Sequence, residues 1–227
     1  MVGEAMNVLT LHISFVLVLL IGCSEDKPVE VPATSSVVVI DFDPEEFPEE
    51  PPEVEPKGGY SSLAALIESR NATPARVREA LERGADVMEL GKRGWTPLHW
   101  AASNSRDPEV VSVVLEAGAD VNSWATEFTP LQCAALVNPN PKIIKILLDA
   151  GADINAQLEL GVTPLYLACS PTQKNPAIIL LLLSEGADAN AKIFIDQTAL
   201  DFARKNSALQ GTDAFKALEA ATMWSNR

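Results

Sequence analysis

The side chains that could do chemistry are few, and their spacing forms no recognisable catalytic group. The chain of 227 residues holds two histidines, His12 and His99, and three cysteines, Cys23, Cys133 and Cys169. No phosphate-binding loop, paired histidine ligands or serine–histidine arrangement occurs, so we expect no catalytic residue, metal site or cofactor. An enzyme is therefore the least favoured class of function.

Two of the cysteines lie in short apolar segments further along the chain. An exported protein is permitted disulfides, but Cys133 and Cys169 occupy different positions in the repeats described below. A bridge would need their Cα atoms within about 7 Å. We therefore predict that both are buried, reduced core residues.

Cys23 follows an apolar run, residues 8–22, that is shorter than the roughly 20 residues of a membrane-spanning helix. A small residue and then a cysteine after such a run resemble a bacterial lipoprotein signal peptide, here residues 1–22. The resemblance implies cleavage before Cys23, diacylation of Cys23 and anchoring in the cell envelope. Ser24 in the next position suggests the outer membrane, facing the periplasm. Because no Lys or Arg precedes the run, an uncleaved anchor or another cleavage site stays open.

Residues 23–59 are predicted to be a disordered acidic tether. The segment 24–59 holds seven prolines and eleven acidic residues against two lysines, a net charge of −9 out of −14 for the whole chain. This composition cannot bury enough apolar surface to fold, and its reach is roughly 110 Å at about 3.1 Å per residue. Residues 36–42 are apolar enough to add as a strand to a partner's sheet, although an extended tether is preferred.

Residues 60–227 repeat themselves with a period of 33 to 35 residues in three registers. Gly-Ala-Asp recurs, and so does a threonine that opens a short apolar helix. A threonine, aspartate or asparagine followed by proline marks a second helix in each unit. The recurring residues of the first two registers are Gly84, Gly118, Gly151 and Gly186, and Thr96, Thr129, Thr163 and Thr198.

The segment 96–102, TPLHWAA, and its weaker copies resemble ankyrin repeats. The resemblance implies an all-α ankyrin-repeat solenoid of about five helix-pair units over residues 60–227, connected by β-hairpin-like turns. It makes His99 the motif histidine, which satisfies backbone groups between repeats. Weak first and last units fit end caps that tolerate water on one side.

In the ankyrin family, partners bind to the turn tips and to the exposed side of the first helices, and the resemblance implies the same surface here. Several residues carried over by position are apolar or aromatic, as is typical of interaction sites. The alternative is that these turn residues fold down and are buried. The predicted partner-binding residues are Lys92, Arg93, Trp95, Asn104, Thr126, Phe128, Val137, Leu160, Phe194 and Ile195.

The sequence thus predicts a protein–protein interaction module tethered to the bacterial cell envelope. Residues 60–227 have a net charge of only −4 and no cluster of Lys or Arg, which argues against nucleic acid as a partner. No small-molecule substrate is expected. Two alternatives stay open, namely an immunity or inhibitor lipoprotein that neutralises an exported toxin or hydrolase, and a structural scaffold of the envelope.

Overall fold

The computed structural model describes residues 62–69, 71–124, 128–173, 175–193 and 196–224, without the side chains of Arg93, Glu159 and Trp224. These residues form ten α-helices and two short 3₁₀ turns, and no strand occurs among them. The helices are α1 (Leu63–Glu68), α2 (Pro74–Glu82), α3 (Pro97–Asn104), α4 (Pro108–Glu116), α5 (Pro130–Val137), α6 (Pro141–Asp149), α7 (Pro164–Ala168), α8 (Ala177–Ser184), α9 (Ala199–Ala203) and α10 (Asp213–Trp224).

The helices pair into five units, as the repeats predict, and stack in two layers. The odd-numbered first helices α1, α3, α5, α7 and α9 contact one another in chain order. The second helices α2, α4, α6 and α8 form the other layer, where α10 packs on both α8 and α9. Each unit therefore contacts mainly its neighbours, which is the defining property of a solenoid.

Threonine and proline start the helices as the sequence predicts. Thr129, Thr163 and Thr198 each accept a hydrogen bond from a backbone N–H in the first turn of the helix that follows. Thr96 differs, because its hydroxyl bonds the ring of His99 instead of the backbone. Asn175 accepts from the N–H of Ala177 in the same way, although α8 begins at Ala177, one residue later than the proline pattern predicts.

Glycine ends the second helices. Gly84, Gly118, Gly151 and Gly186 have φ between +89° and +96°, where an L side chain is strained. This left-handed residue lets the chain leave the helix and enter the turn. The predicted glycine caps are therefore confirmed.

The core lies between the two layers and is aliphatic. The leucine of each central first helix packs against branched residues of the second helices, and these side chains are at most 1% exposed. Burial of one such side chain stabilises the fold by about 1.5–3 kcal/mol. The central members are Leu98, Leu131, Leu165, Val110, Val111, Ile143, Ile144, Ile178 and Ile179.

Buried amides bind the third and fourth units to the units before them. Asn138 donates from Nδ2 to the carbonyls of Ala102 and Ser105, at 2.8 and 3.0 Å. Gln173 does the same one unit later, from Nε2 to the carbonyls of Ala135 and Asn138, at 2.9 and 3.1 Å. These bonds satisfy carbonyls at the ends of the first helices that no intrahelical donor reaches.

Candidate protein-binding surface

His99 is a structural residue of the interior. It is fully buried, its Nδ1 lies 2.7 Å from the Thr96 hydroxyl, and its Nε2 lies 2.9 Å from the Phe128 carbonyl of the next turn. Because a carbonyl only accepts, Nε2 carries the proton and Nδ1 accepts from Thr96. Burial holds the pKa of His99 below its usual value, with backbone hydrogen bonds opposing the shift. The predicted role between repeats is confirmed.

Gln132 fills the histidine position in the next unit and makes equivalent bonds. Its Oε1 accepts from the Thr129 N–H at 2.8 Å, and its Nε2 donates to the carbonyls of Ala156 and Val162 at 3.0 and 3.4 Å. An amide and an imidazole thus serve the same purpose, which is to attach a first helix to the following turn. A catalytic use of His99 finds no support in this geometry.

The two cysteines of the repeats are free and buried, as predicted. Burial raises the pKa of Cys169 to about 12 and the pKa of Cys133 further still. Both thiols are therefore protonated near neutral pH and are poor nucleophiles. In the described part of the chain no group of three or more His, Cys, Asp or Glu residues could hold a metal ion.

Five of the predicted partner-binding residues reach the surface. Lys92 and Val137 are exposed, while Trp95, Asn104 and Leu160 are half-buried. Lys92 Nζ lies 3.3 Å from a carboxylate oxygen of Glu68 in the preceding unit. These residues lie on the turns or the first helices, so the structure places them along one side of the solenoid.

Trp95 is held in place by aromatic packing. Its ring centroid lies 4.7 Å from that of Trp100 and 6.1 Å from that of His99, both in tilted arrangements. Tilted aromatic pairs of this kind contribute roughly 0.5–1.5 kcal/mol beyond their buried area. Trp95 therefore presents one part of its ring to the surface and uses the rest for the fold.

The sequence predicts Phe128 at the surface, and this prediction is wrong. The side chain is only 6% exposed. The Phe128 carbonyl accepts the hydrogen bond from His99, which draws the residue against the preceding unit. Burial removes a large aromatic surface from water, so Phe128 stabilises the fold and is not available to a partner.

The remaining predicted residues lie outside the described residues. Cys23, Thr126, Phe194 and Ile195 belong to this group, together with the side chain of Arg93. Their assignments as an anchor and as partner-binding residues therefore stay predictions.

Three exposed apolar side chains extend the candidate surface. Leu90 is 71% exposed, Trp124 is 57% exposed and Met88 is 42% exposed. None of the three is among the predicted partner-binding residues, although Trp124 is an aromatic residue in a turn. The repeat register identifies them, because Leu90 and Trp124 both lie six residues after the helix-ending glycine.

A separate apolar residue lies on the layer of second helices. Leu180 of α8 is 38% exposed. The nearby outer face carries an ion-pair network in which Lys145 Nζ lies 2.8 Å from Asp149 and 3.1 Å from Glu185. One half-exposed leucine beside paired charges is ordinary for a protein surface. No helix in the described ranges is both long and apolar enough to cross a membrane.

Comparisons with known families agree with the geometry. Residues 125–193 match the description "Ankyrin repeats (3 copies)", and residues 93–125 match the description "Ankyrin repeat". Palmitoyltransferase Hip14 of Drosophila melanogaster is 35% identical over 75 residues, which are 33% of this chain and 12% of that protein. The chain thus spans a small fraction of that relative, and the match lies in ankyrin repeats rather than in a catalytic domain.

Ankyrin repeats are generally non-catalytic modules of protein–protein interaction. This chain contains ankyrin repeats, and its described helices form an all-α ankyrin solenoid.

Proposed function

We propose that this protein binds a partner protein at the bacterial cell envelope, to which a lipidated Cys23 tethers it. The side formed by the turns and first helices supports the binding role. Large apolar side chains stand exposed on its turns, and Val137 is exposed at the end of α5. Recognition then rests on surface complementarity, without turnover of the partner.

The exposed apolar side chains Met88, Leu90 and Trp124 of the turns are the observation that carries the proposal. The core of a protein interface is depleted of charged residues, because a partner must displace water from both surfaces there. Charged and amide groups at the edge, such as Lys92 and Asn104, supply the polar rim that surrounds such a core. A catalytic cleft would instead need titratable groups, and the buried His99 and Cys133 are engaged in the fold.

The sequence around Cys23 supports the tether. Two acyl chains anchor a protein stably, whereas one chain anchors it only marginally. Attachment to a surface raises the effective concentration of the repeats near envelope partners, so a modest affinity suffices. The acidic segment 24–59 then acts as a spacer between the lipid and the repeats.

Affinity capture from solubilised envelope tests the binding surface. The full chain is compared with a turn-face variant carrying Lys92→Ala, Trp124→Gln and Val137→Gln, all at exposed positions. A matched control carries Lys142→Ala and Leu180→Gln on the exposed outer face. We expect one partner that the parent and the control retain and the turn-face variant loses. Equal capture by all three proteins would move the binding site away from the turns.

The identity of the partner then separates the two narrower functions. If the captured partner is a toxin or hydrolase that harms the cell only when this protein is deleted, this protein is an immunity or inhibitor lipoprotein. Stoichiometric association with envelope components and no toxicity on deletion would identify a scaffold.

The anchor is tested independently with Cys23→Ala. We expect the parent to incorporate a palmitate analogue and to sediment with outer membranes, and the variant to incorporate none. Incorporation that persists in Cys23→Ala would place the lipid elsewhere. Sedimentation without lipid in both proteins would instead indicate an uncleaved N-terminal anchor.

A further inference from the structure

We infer that the turn face is built for a cationic protein partner that inserts an apolar side chain between the first two turns. This inference rests on the proposed function and adds the chemistry of the partner to it. Two features of the turns carry it: an apolar strip, formed by Met88, Leu90 and Trp124, and a row of exposed aspartates.

The apolar strip occupies positions that are polar elsewhere in the same solenoid. Leu90 and Trp124 are followed in the repeat register by Gln157 and Lys192, and all four residues are exposed. Corresponding residues of stacked units lie about 10 Å apart, the spacing of packed helices. Leu90 and Trp124 are therefore neighbours, and the first two turns expose apolar surface at the position where the last two turns show amide and ammonium groups to water.

Met88 marks the strip more sharply, because a bridging asparagine stands in its place in the following turns. Asn122 donates to the Gly151 carbonyl at 3.0 Å and accepts from the Asp153 N–H at 2.8 Å. Asn155 likewise accepts from the Asp188 N–H at 2.9 Å. A methionine can make neither bond. The first and second turns therefore lack between them the asparagine hydrogen bonds that join the later turns, and Met88 exposes a flexible thioether instead. A departure of this kind from the repeat pattern is typical of functional positions.

The charge of the turns is strongly negative. The four turn segments 85–95, 119–128, 152–162 and 187–197 hold eight acidic residues against three basic ones, a net charge of −5. Both lysines among these residues are paired with carboxylates, Lys92 with Glu68 and Lys192 with Asp196. Arg93 is the third basic residue, and with it included the net charge of the turns is still negative.

The aspartates form a regular row along the turns. Each accepts a hydrogen bond at 2.8–2.9 Å from the N–H two residues later in its own turn, which fixes the carboxylate while leaving it exposed. No ion pair to any of the four occurs within the described residues. The row consists of Asp86, Asp120, Asp153 and Asp188.

Charge and aromatic chemistry together select one class of occupant. A partner with Arg or Lys flanking an apolar side chain would pair with the aspartate row, seat its apolar group on Leu90 and gain a cation–π contact with Trp124. The acidic segment 24–59 of this chain carries a net charge of −9 and is repelled by the same row. The chain's own tether is thus excluded, and so is nucleic acid.

The test uses three fluorescent peptides that share the same leucines and carry Arg, Gln or Glu at all other positions. Binding to the full chain in mild detergent is measured by fluorescence anisotropy at low and high salt. We expect the Arg peptide to bind at least about tenfold more tightly than the Gln peptide, and salt to weaken it. The Glu peptide should not bind.

Two variants assign the binding to the strip. Leu90→Gln with Trp124→Gln should weaken the Arg peptide by about tenfold or more, because truncated interface anchors commonly have effects of this size. The fold already accommodates a glutamine, Gln157, at the same register, so these substitutions should not cause misfolding. An unchanged thermal unfolding curve would verify that the variant is folded. Leu180→Gln on the outer face is the matched control and should leave affinity unchanged.

Three results would overturn the inference. They are no binding of the Arg peptide, equal binding of the Arg and Gln peptides, and full affinity in the Leu90→Gln, Trp124→Gln protein. If the Gln or Glu peptide bound in a strip-dependent manner, the cationic partner would be wrong while the protein-binding function would stand. Failure of that function itself is a separate outcome, seen when the parent captures no envelope partner.

Discussion

Replacement of His99 by glutamine should preserve the fold and remove one source of its pH dependence. Gln132 shows that an amide at this position can accept from the threonine N–H and donate to carbonyls of the next turn. We expect His99→Gln to change the free energy of unfolding by no more than about 1 kcal/mol at neutral pH, since both hydrogen-bonding ends are retained. His99→Ala should cost about 2–4 kcal/mol, because it removes two buried bonds and leaves a cavity.

The pH dependence follows from the direction of the shift. Burial lowers the pKa of folded His99 below the usual 6.5. Between the folded and unfolded values the unfolded chain binds more protons, so stability falls as the pH drops below 6.5 towards the folded pKa. This loss is absent above 6.5, where the imidazole is neutral in both states. The parent should therefore weaken between about pH 7.5 and pH 5.5, and His99→Gln should weaken less.

Urea unfolding followed by tryptophan fluorescence measures these differences at the two pH values. His12 is present in every variant, so its contribution cancels in the comparison. An identical pH slope in the parent and in His99→Gln would refute the buried, neutral histidine. A loss below about 0.5 kcal/mol for His99→Ala, the range of surface substitutions, would refute its bridging role.

Three further predictions concern the scaffold. Asn138→Ala should lower the free energy of unfolding by about 2–4 kcal/mol in urea titrations, because two donated hydrogen bonds and one accepted from Asn140 are lost. Gln157→Ala, at an exposed position, is the control and should leave the free energy of unfolding unchanged. Gly118→Ala should cost about 1–2 kcal/mol by thermal unfolding, since φ is +96° but no atom lies within 4 Å of the added Cβ. Cys133 and Cys169 should resist a thiol reagent at pH 8 until denaturant is added, and rapid labelling of the native protein would contradict their burial.

The periodicity of the sequence predicts the fold because each marker has a local physical cause. Gly118 and Gly151 recur where the backbone turns left-handed, and Thr129 and Thr163 recur where a helix needs a side-chain acceptor. These requirements involve residues within one turn of helix, so a single sequence reveals them. The order of the units then follows from stacking, since each unit can bury its apolar face only against its neighbours.

The exposure of individual turn residues is harder to predict because it depends on the adjoining unit. Phe128 and Trp124 are both aromatic and lie in the same turn, yet one is 6% exposed and the other 57%. Phe128 is drawn inward by the bond from His99, which comes from the preceding unit. A position carried over from the repeat resemblance takes no account of that contact, and for this reason the carry-over misplaces Phe128.

Comparison of equivalent positions within this chain recovers part of what the carry-over misses. A residue that is structural in most units, such as Asn122 or Asn155, defines what the scaffold requires at its position. Where Met88 replaces it, the scaffold loses bonds and gains little buried surface, since Met88 is 42% exposed. An end unit is free of some packing demands, which explains why the loss is tolerated there. Tolerance alone does not explain why the substitute and its neighbour Leu90 are both large and apolar. Water contact disfavours such side chains, and a partner that covers them is the inference drawn above from this observation.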